Sequence, residues 1–75
     1  MNLYLVTRKD RCDWDEYDSV VVCADSYTEA ANTSPCFNQD YKPRYWNSNN
    51  LEVSLLGTAN ESIKKGIVLS SFRAG

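Results

Sequence analysis

The stretch "SVVVCA", residues 19–24, constrains this chain more than any other. It is a continuous apolar run of strand length, rich in β-branched residues, which is the pattern of a central strand covered on both faces or nearly so. The segment before it, "NLYLVT" at residues 2–7, is β-branched and aromatic. Its alternation puts Leu3 and Leu5 on one face and Tyr4 and Val6 on the other. The two segments can pair as an antiparallel hairpin with residues 8–18 as a long connection.

A short helix follows. In "DSYTEAANTSP" either Asp25 or Ser26 can cap, and Ser26 with Glu29 three residues on forms a capping box. Tyr27, Ala30 and Ala31 then share one side, and Pro35 stops the helix after barely two turns. A helix so short holds only by packing on a sheet. Residues 35–50, "PCFNQDYKPRYWNSNN", show no period and are full of turn-formers. In "LEVSLLGTA", residues 51–59, Leu51, Val53 and Leu55 point inward and Glu52 and Ser54 outward, with Gly57 marking a bulge or the strand's end. "NESIKKG" reads as one helical turn or a wide turn, with Lys64 and Lys65 at its cationic end. "GIVLSSF", residues 66–72, is the last strand.

The order β-β-α-β-β implies a single α+β domain over residues 1–75: a four-stranded antiparallel or mixed sheet with one short helix on one face. Either the crossover makes strands two and three parallel neighbours, or strand one inserts between them.

With 75 residues there is apolar surface for one core only. A hydrophobic fraction of 43% fits a globular chain, and the aromatics supply much of what it can bury. The formal charge of −2 argues against direct nucleic-acid binding, which needs a basic field. Histidine is absent, which removes histidine-based triads and the commonest zinc ligand. Cys12, Cys23 and Cys36 form no C-x-x-C pair and are odd in number, as expected of reduced thiols in a cytoplasm. Neither a cofactor nor a metal is expected. The first ten residues turn charged after a brief apolar run, so neither a leader nor a membrane span is expected there.

Several blocks in order, "LYLVTR", "YDSVVV", "TEAAN-TSP", "VSLLGTA" and "GIVLSSFRAG", resemble a group of small proteins encoded by phages and prophages. The resemblance spans nearly the whole chain. It implies a phage accessory protein in the host cytoplasm and carries no catalytic motif to transfer.

Two constellations invite function. In "DRCDWDEYD", Asp10, Asp13, Asp15, Glu16 and Asp18 stand with Arg11 alone to offset them. The turn glycine and late glutamate of a calcium loop are missing. The plainer reading is a solvated connection that guards a strand edge. Trp14 and Tyr17, three apart, can share a side of this loop. Exposed aromatics rimmed by carboxylates are what a protein-binding hot spot uses, with Asp13, Asp15, Glu16 and Asp18 steering a basic partner. In "YKPRYW", Lys42 and Arg44 alternate with Tyr41, Tyr45 and Trp46, which reads like a base-stacking platform. Two cations make a weak funnel, and the plainer reading closes this loop over the sheet with Phe37 and Trp46 completing the core.

The sequence thus points to a non-enzymatic interaction module. It would bind a host or phage protein through Trp14, Asp15, Glu16 and Tyr17, flanked by Asp13 and Asp18. Tyr41, Lys42, Arg44 and Tyr45 form a secondary surface. The alternatives are a nucleic-acid mimic that occupies a nuclease or DNA-binding protein, a self-assembling structural protein and, last, a metal-dependent enzyme.

Overall fold

The computed structural model describes residues 1–74. Strand β1, Asn2–Arg8, pairs antiparallel with β2, Glu16–Ala24, in a register that sets Tyr4 opposite Val22 and Val6 opposite Val20. Strand β3, Leu51–Thr58, lies on the other side of β1, and β4, Gly66–Arg73, on the outer side of β2. The sheet order is β3-β1-β2-β4, with every neighbouring pair antiparallel. Strand one therefore inserts between two and three. β2 ends at Ala24 beside Asn2, whereas β3 begins at Leu51 beside Arg8, so residues 25–50 must return along the length of the sheet. In doing so they cover one face.

That face is the core. Tyr4, Val6, Val20, Val22, Ala24 and Leu51 from the strands meet Ala30 and Trp46 from the crossover. Helix α1, Tyr27–Ala31, is a single turn begun by Ser26, whose Oγ accepts from the Glu29 N–H at 3.1 Å. The Glu29 carboxylate reaches one residue past the cap, to the Asp25 N–H at 3.3 Å, so only the Ser26 half of the expected box is formed. Ala30 is buried, while Tyr27 lies exposed with its ring edge-on to Tyr4 at 5.0 Å.

One helical turn cannot roof four strands, and the irregular segment after it does the rest. Trp46 is 1% exposed and donates its indole N–H to the Thr33 carbonyl at 3.3 Å. Pro35, Pro43 and Ser34 are buried with it, Ser34 accepting from the Cys36 N–H and donating to the Tyr41 carbonyl. Phe37, in contrast, is 78% exposed and takes no part in the core expected of it.

The opposite face is covered at one end only. There Cys23 is buried under Met1 and Ile63, while Leu3, Leu5 and Val21 are half-buried and Leu69 is 67% exposed. The apolar run 19–24 is thus sheltered fully on one side, not on both. In β3 the alternation holds through Val53 and then lapses. Leu55 pairs with Tyr4 and Gly57 with Leu3, which leaves Leu56 as a bulge and Leu55 exposed.

Residues 59–65 form a turn rather than a helical turn. The Asn60 side chain accepts from both the N–H and the hydroxyl of Ser62, and the Ile63 N–H closes the turn on the Asn60 carbonyl at 3.0 Å. Lys65 does not cap a helix. It reaches across to Glu29 at 2.9 Å and Asp25 at 3.7 Å, tying this turn to α1.

Candidate functional site

The β1–β2 connection is held from below by one side chain. Arg8 closes β1 on the core side, and only 4% of its side chain is exposed. Its guanidinium forks onto Asp10 at 2.7 and 3.0 Å, donates to Glu16 at 2.9 Å, and reaches the carbonyls of Tyr17 and Arg11 at 3.3 and 3.1 Å. The same group lies over the Tyr45 ring, 4.1 Å from its centre. The Tyr45 hydroxyl in turn accepts from the Tyr17 N–H at 3.0 Å. A planar, multiply donating guanidinium can satisfy all these partners together, which an ammonium cannot.

The loop is tied at three further points. Lys9 donates its N–H to the Asn50 carbonyl at 2.8 Å, Glu16 accepts from the Asp13 N–H at 3.0 Å, and the Asp15 N–H bonds to the Arg73 carbonyl. Asp15 has φ 60°, and Asp15 and Glu16 together oppose Arg73. This is the arrangement of a bulge whose first residue is usually glycine. Asp tolerates this region better than most residues, and a β-branched side chain does not. Asp15→Val is expected to be about 1–2 kcal/mol less stable than Asp15→Gly in denaturant unfolding. Both variants delete the carboxylate alike, so their difference reports the backbone.

Above this frame stands Trp14, 62% exposed, with the Arg73 guanidinium 4.3 Å from its ring centre. Arg73 also donates to the Cys12 carbonyl at 3.1 Å. Tyr17 does not share Trp14's side. It is half-buried, packed edge-on against Phe72 at 4.9 Å, and burial pushes its hydroxyl pKa up.

The carboxylates also differ from the sequence expectation. Arg11 is not their only offset, because Arg8 and Arg73 stand in the same cluster. Asp10 and Glu16 are bound inward to Arg8. Asp18 is half-buried and accepts from the Ser19 hydroxyl at 2.9 Å. Asp13 and Asp15 remain on the exposed rim beside Trp14. Bonds from Arg8 and the Asn50 side chain pull the Asp10 carboxyl from its usual 3.8 down to about 2. The Asp13 N–H, then Arg8, lower Glu16 from 4.5. Folded values below unfolded ones mean that this stabilisation is complete above the unfolded values and fades as the pH falls toward 2. A carboxyl NMR titration is expected to place Asp10 near 2, and Arg8→Ala to return it toward 3.8.

The 41–46 segment does not form a stacking platform. Tyr41 is exposed, Arg44 is exposed, and Lys42 donates to the Asn32 carbonyl at 3.4 Å. Tyr45 is half-buried beneath Arg8, and Trp46 is in the core. Tyr45 thus belongs to the hairpin site as a support, and Tyr41 stands near enough to Tyr17 and Tyr45 to add to burial in raising both hydroxyl pKa values, whereas Lys42 is drawn to Asn32.

Sequence reading missed Arg8 and Arg73. Arg8 left a signal, since an arginine two residues before an aspartate at a strand end can fork onto it. Arg73 left none, because its place beside Trp14 depends on β4 pairing with β2.

Among the described residues no group of three or more histidines, cysteines or acids could hold a metal ion, and no pocket opens. No helix of the described residues is long and apolar enough to cross a membrane. A scan of protein-family models finds no match to this chain, and searches of curated proteins and of solved structures find none either.

Proposed function

We propose that this chain is a non-enzymatic binding module that docks a protein partner through the β1–β2 loop, with Trp14 as the anchor. The observation that carries this reading is the contrast within one loop. Its backbone is fixed by a buried arginine, yet its largest side chain is left outside. Burying Trp14 in the chain's own core would stabilise a small domain, so leaving it exposed on a fixed support suits contact with something else. A loop already ordered also loses little freedom on binding.

The partner surface would offer an apolar slot for the indole, with cationic or hydrogen-bond-donating groups facing Asp13 and Asp15. Glu16 and Tyr17 then act as framework rather than contact. In the setting implied by the phage resemblance, the partner is a host or phage protein in the bacterial cytoplasm.

The test compares partners captured from bacterial host lysate by wild type, Trp14→Ala and Tyr41→Ala. Trp14 is exposed, so its removal leaves folding intact, and the circular dichroism of each variant confirms this. Loss of a specific partner with Trp14→Ala but not with Tyr41→Ala is expected. Identical partner sets for all three would remove this surface from consideration.

A further inference from the structure

We propose that β4 is the pairing edge of a homodimer, in which two copies join antiparallel about a two-fold axis at Ser71 to make one continuous sheet. β4 ends the sheet, so one side of its backbone has no neighbouring strand. The Arg73 carbonyl accepts from Asp15 on the β2 side. A strand residue turns its N–H and C=O to the same side, and successive residues turn them to opposite sides. Arg73, Ser71 and Leu69 therefore face β2, while Ser70 and Phe72 present their backbone groups outward. None of the described residues bonds to those groups. The Ser70 hydroxyl, on the core side, donates to Pro35 at 2.6 Å.

This edge lacks the usual protection. From Gly66 to Phe72 there is no charged residue and no proline, and Val68, Leu69 and Phe72 are exposed. Two bulges interrupt its ladder with β2: Val22 pairs with Ile67 and Val21 with Leu69, leaving Val68 extra on β4, while Tyr17 pairs with Phe72 and Ser19 with Ser71, leaving Asp18 extra on β2, so β4 itself carries no extra residue from Leu69 to Arg73. The opposite edge is a poorer template, because β3 carries Glu52 and is broken by the bulge at Leu56.

The register follows from the outward groups. The register that uses both outward residues and keeps the Val68 bulge out of the paired stretch joins Ser70 to Phe72 of the second copy, which sets Ser71 opposite itself and Leu69 opposite Arg73 of the second copy. Charge favours a second copy as the occupant. The antiparallel arrangement carries the exposed Lys64 end of each β4 toward the end of the other's sheet where Asp13 is exposed, and the symmetry makes this approach twice. The inference does not rest on the docking role of Trp14.

Sedimentation equilibrium over a concentration series, with circular dichroism of each variant, is the test. Wild type is expected to self-associate. Leu69→Lys sets a cation opposite Arg73 and is expected to weaken the dimer about tenfold or more, whereas Leu69→Glu sets an anion there and keeps it. Leu69 is exposed, so both variants fold. Ser71→Cys, with Cys12→Ser and Cys36→Ser, is expected to form an interchain disulfide under mild oxidant. Non-hydrogen-bonded partners lie about 4.5 Å apart at Cα, within bridging range. A wild type that stays monomeric overturns the proposal, whether or not β4 captures an extended peptide. So does a dimer that both Leu69 variants weaken alike, or one that Ser71→Cys fails to link.

Discussion

Replacing Trp46 with alanine is expected to destabilise the protein by about 3–5 kcal/mol, the largest effect of any single substitution in this chain. Trp46 is the largest side chain sealed in the core, and it comes from a segment with no regular structure. At 75 residues the domain has a total stability of about 4–11 kcal/mol, so the loss takes about a quarter of it or more. The melting temperature should fall by about 12 °C or more, and the urea midpoint with it. Trp46→Phe separates the two contributions. It restores most of the volume but leaves the Thr33 carbonyl without its donor, at a cost of about 1 kcal/mol. Equal losses from the two variants would mean that the hydrogen bond, not the packing, anchors the crossover.

Replacing Arg8 with alanine is expected to cost about 2 kcal/mol and to release the hairpin loop. This loss is smaller than that of breaking a fully buried pair, because water can reach the Asp10 carboxylate that Arg8 leaves behind. Local order should suffer more than global stability. The Tyr17 amide loses the aligned Tyr45 hydroxyl, and the carbonyls of Arg11 and Tyr17 lose their donor. Faster hydrogen exchange from Arg11 to Tyr17, with the β1–β3 ladder little changed, is the expected signature. Arg8→Lys should recover little of it, since an ammonium cannot fork onto Asp10 while stacking on Tyr45. If Arg8→Lys behaves as wild type, charge alone holds the loop.

The strands were legible because their signals are local. Alternation in "NLYLVT" and the apolar run "SVVVCA" require only period two and residue type. The Ser26 cap marked the start of α1 for the same reason. What the sequence could not disclose depended on pairing between distant segments. The insertion of β1 between β2 and β3 decides which face the crossover roofs, and hence that Trp46 goes inside while Phe37, nine residues earlier, stays out. Neither residue has a periodic neighbour to mark its direction.

The candidate site divides in the same way. Trp14 stands out in the sequence as an aromatic among acids, and it is exposed. The acids themselves misled, because their partners come from strand ends: Arg8 before the loop and Arg73 fifty-nine residues after Trp14. With those arginines in place, the carboxylates do not form an extended array spaced like phosphates. Asp10 and Glu16 are committed to a guanidinium, and this gives the nucleic-acid mimic no geometric support.

The two tryptophans allow a direct test of the central claim, that a rigid loop presents Trp14 for contact. Fluorescence quenching by acrylamide, compared between wild type and Trp14→Phe, separates the exposed indole from the buried one. The account predicts a quenchable component that vanishes in Trp14→Phe, leaving the blue-shifted, protected emission of Trp46, and a captured partner that shields this component in the wild type. A Trp14 as protected as Trp46 in the free protein, or one still open to acrylamide with the partner bound, would contradict it.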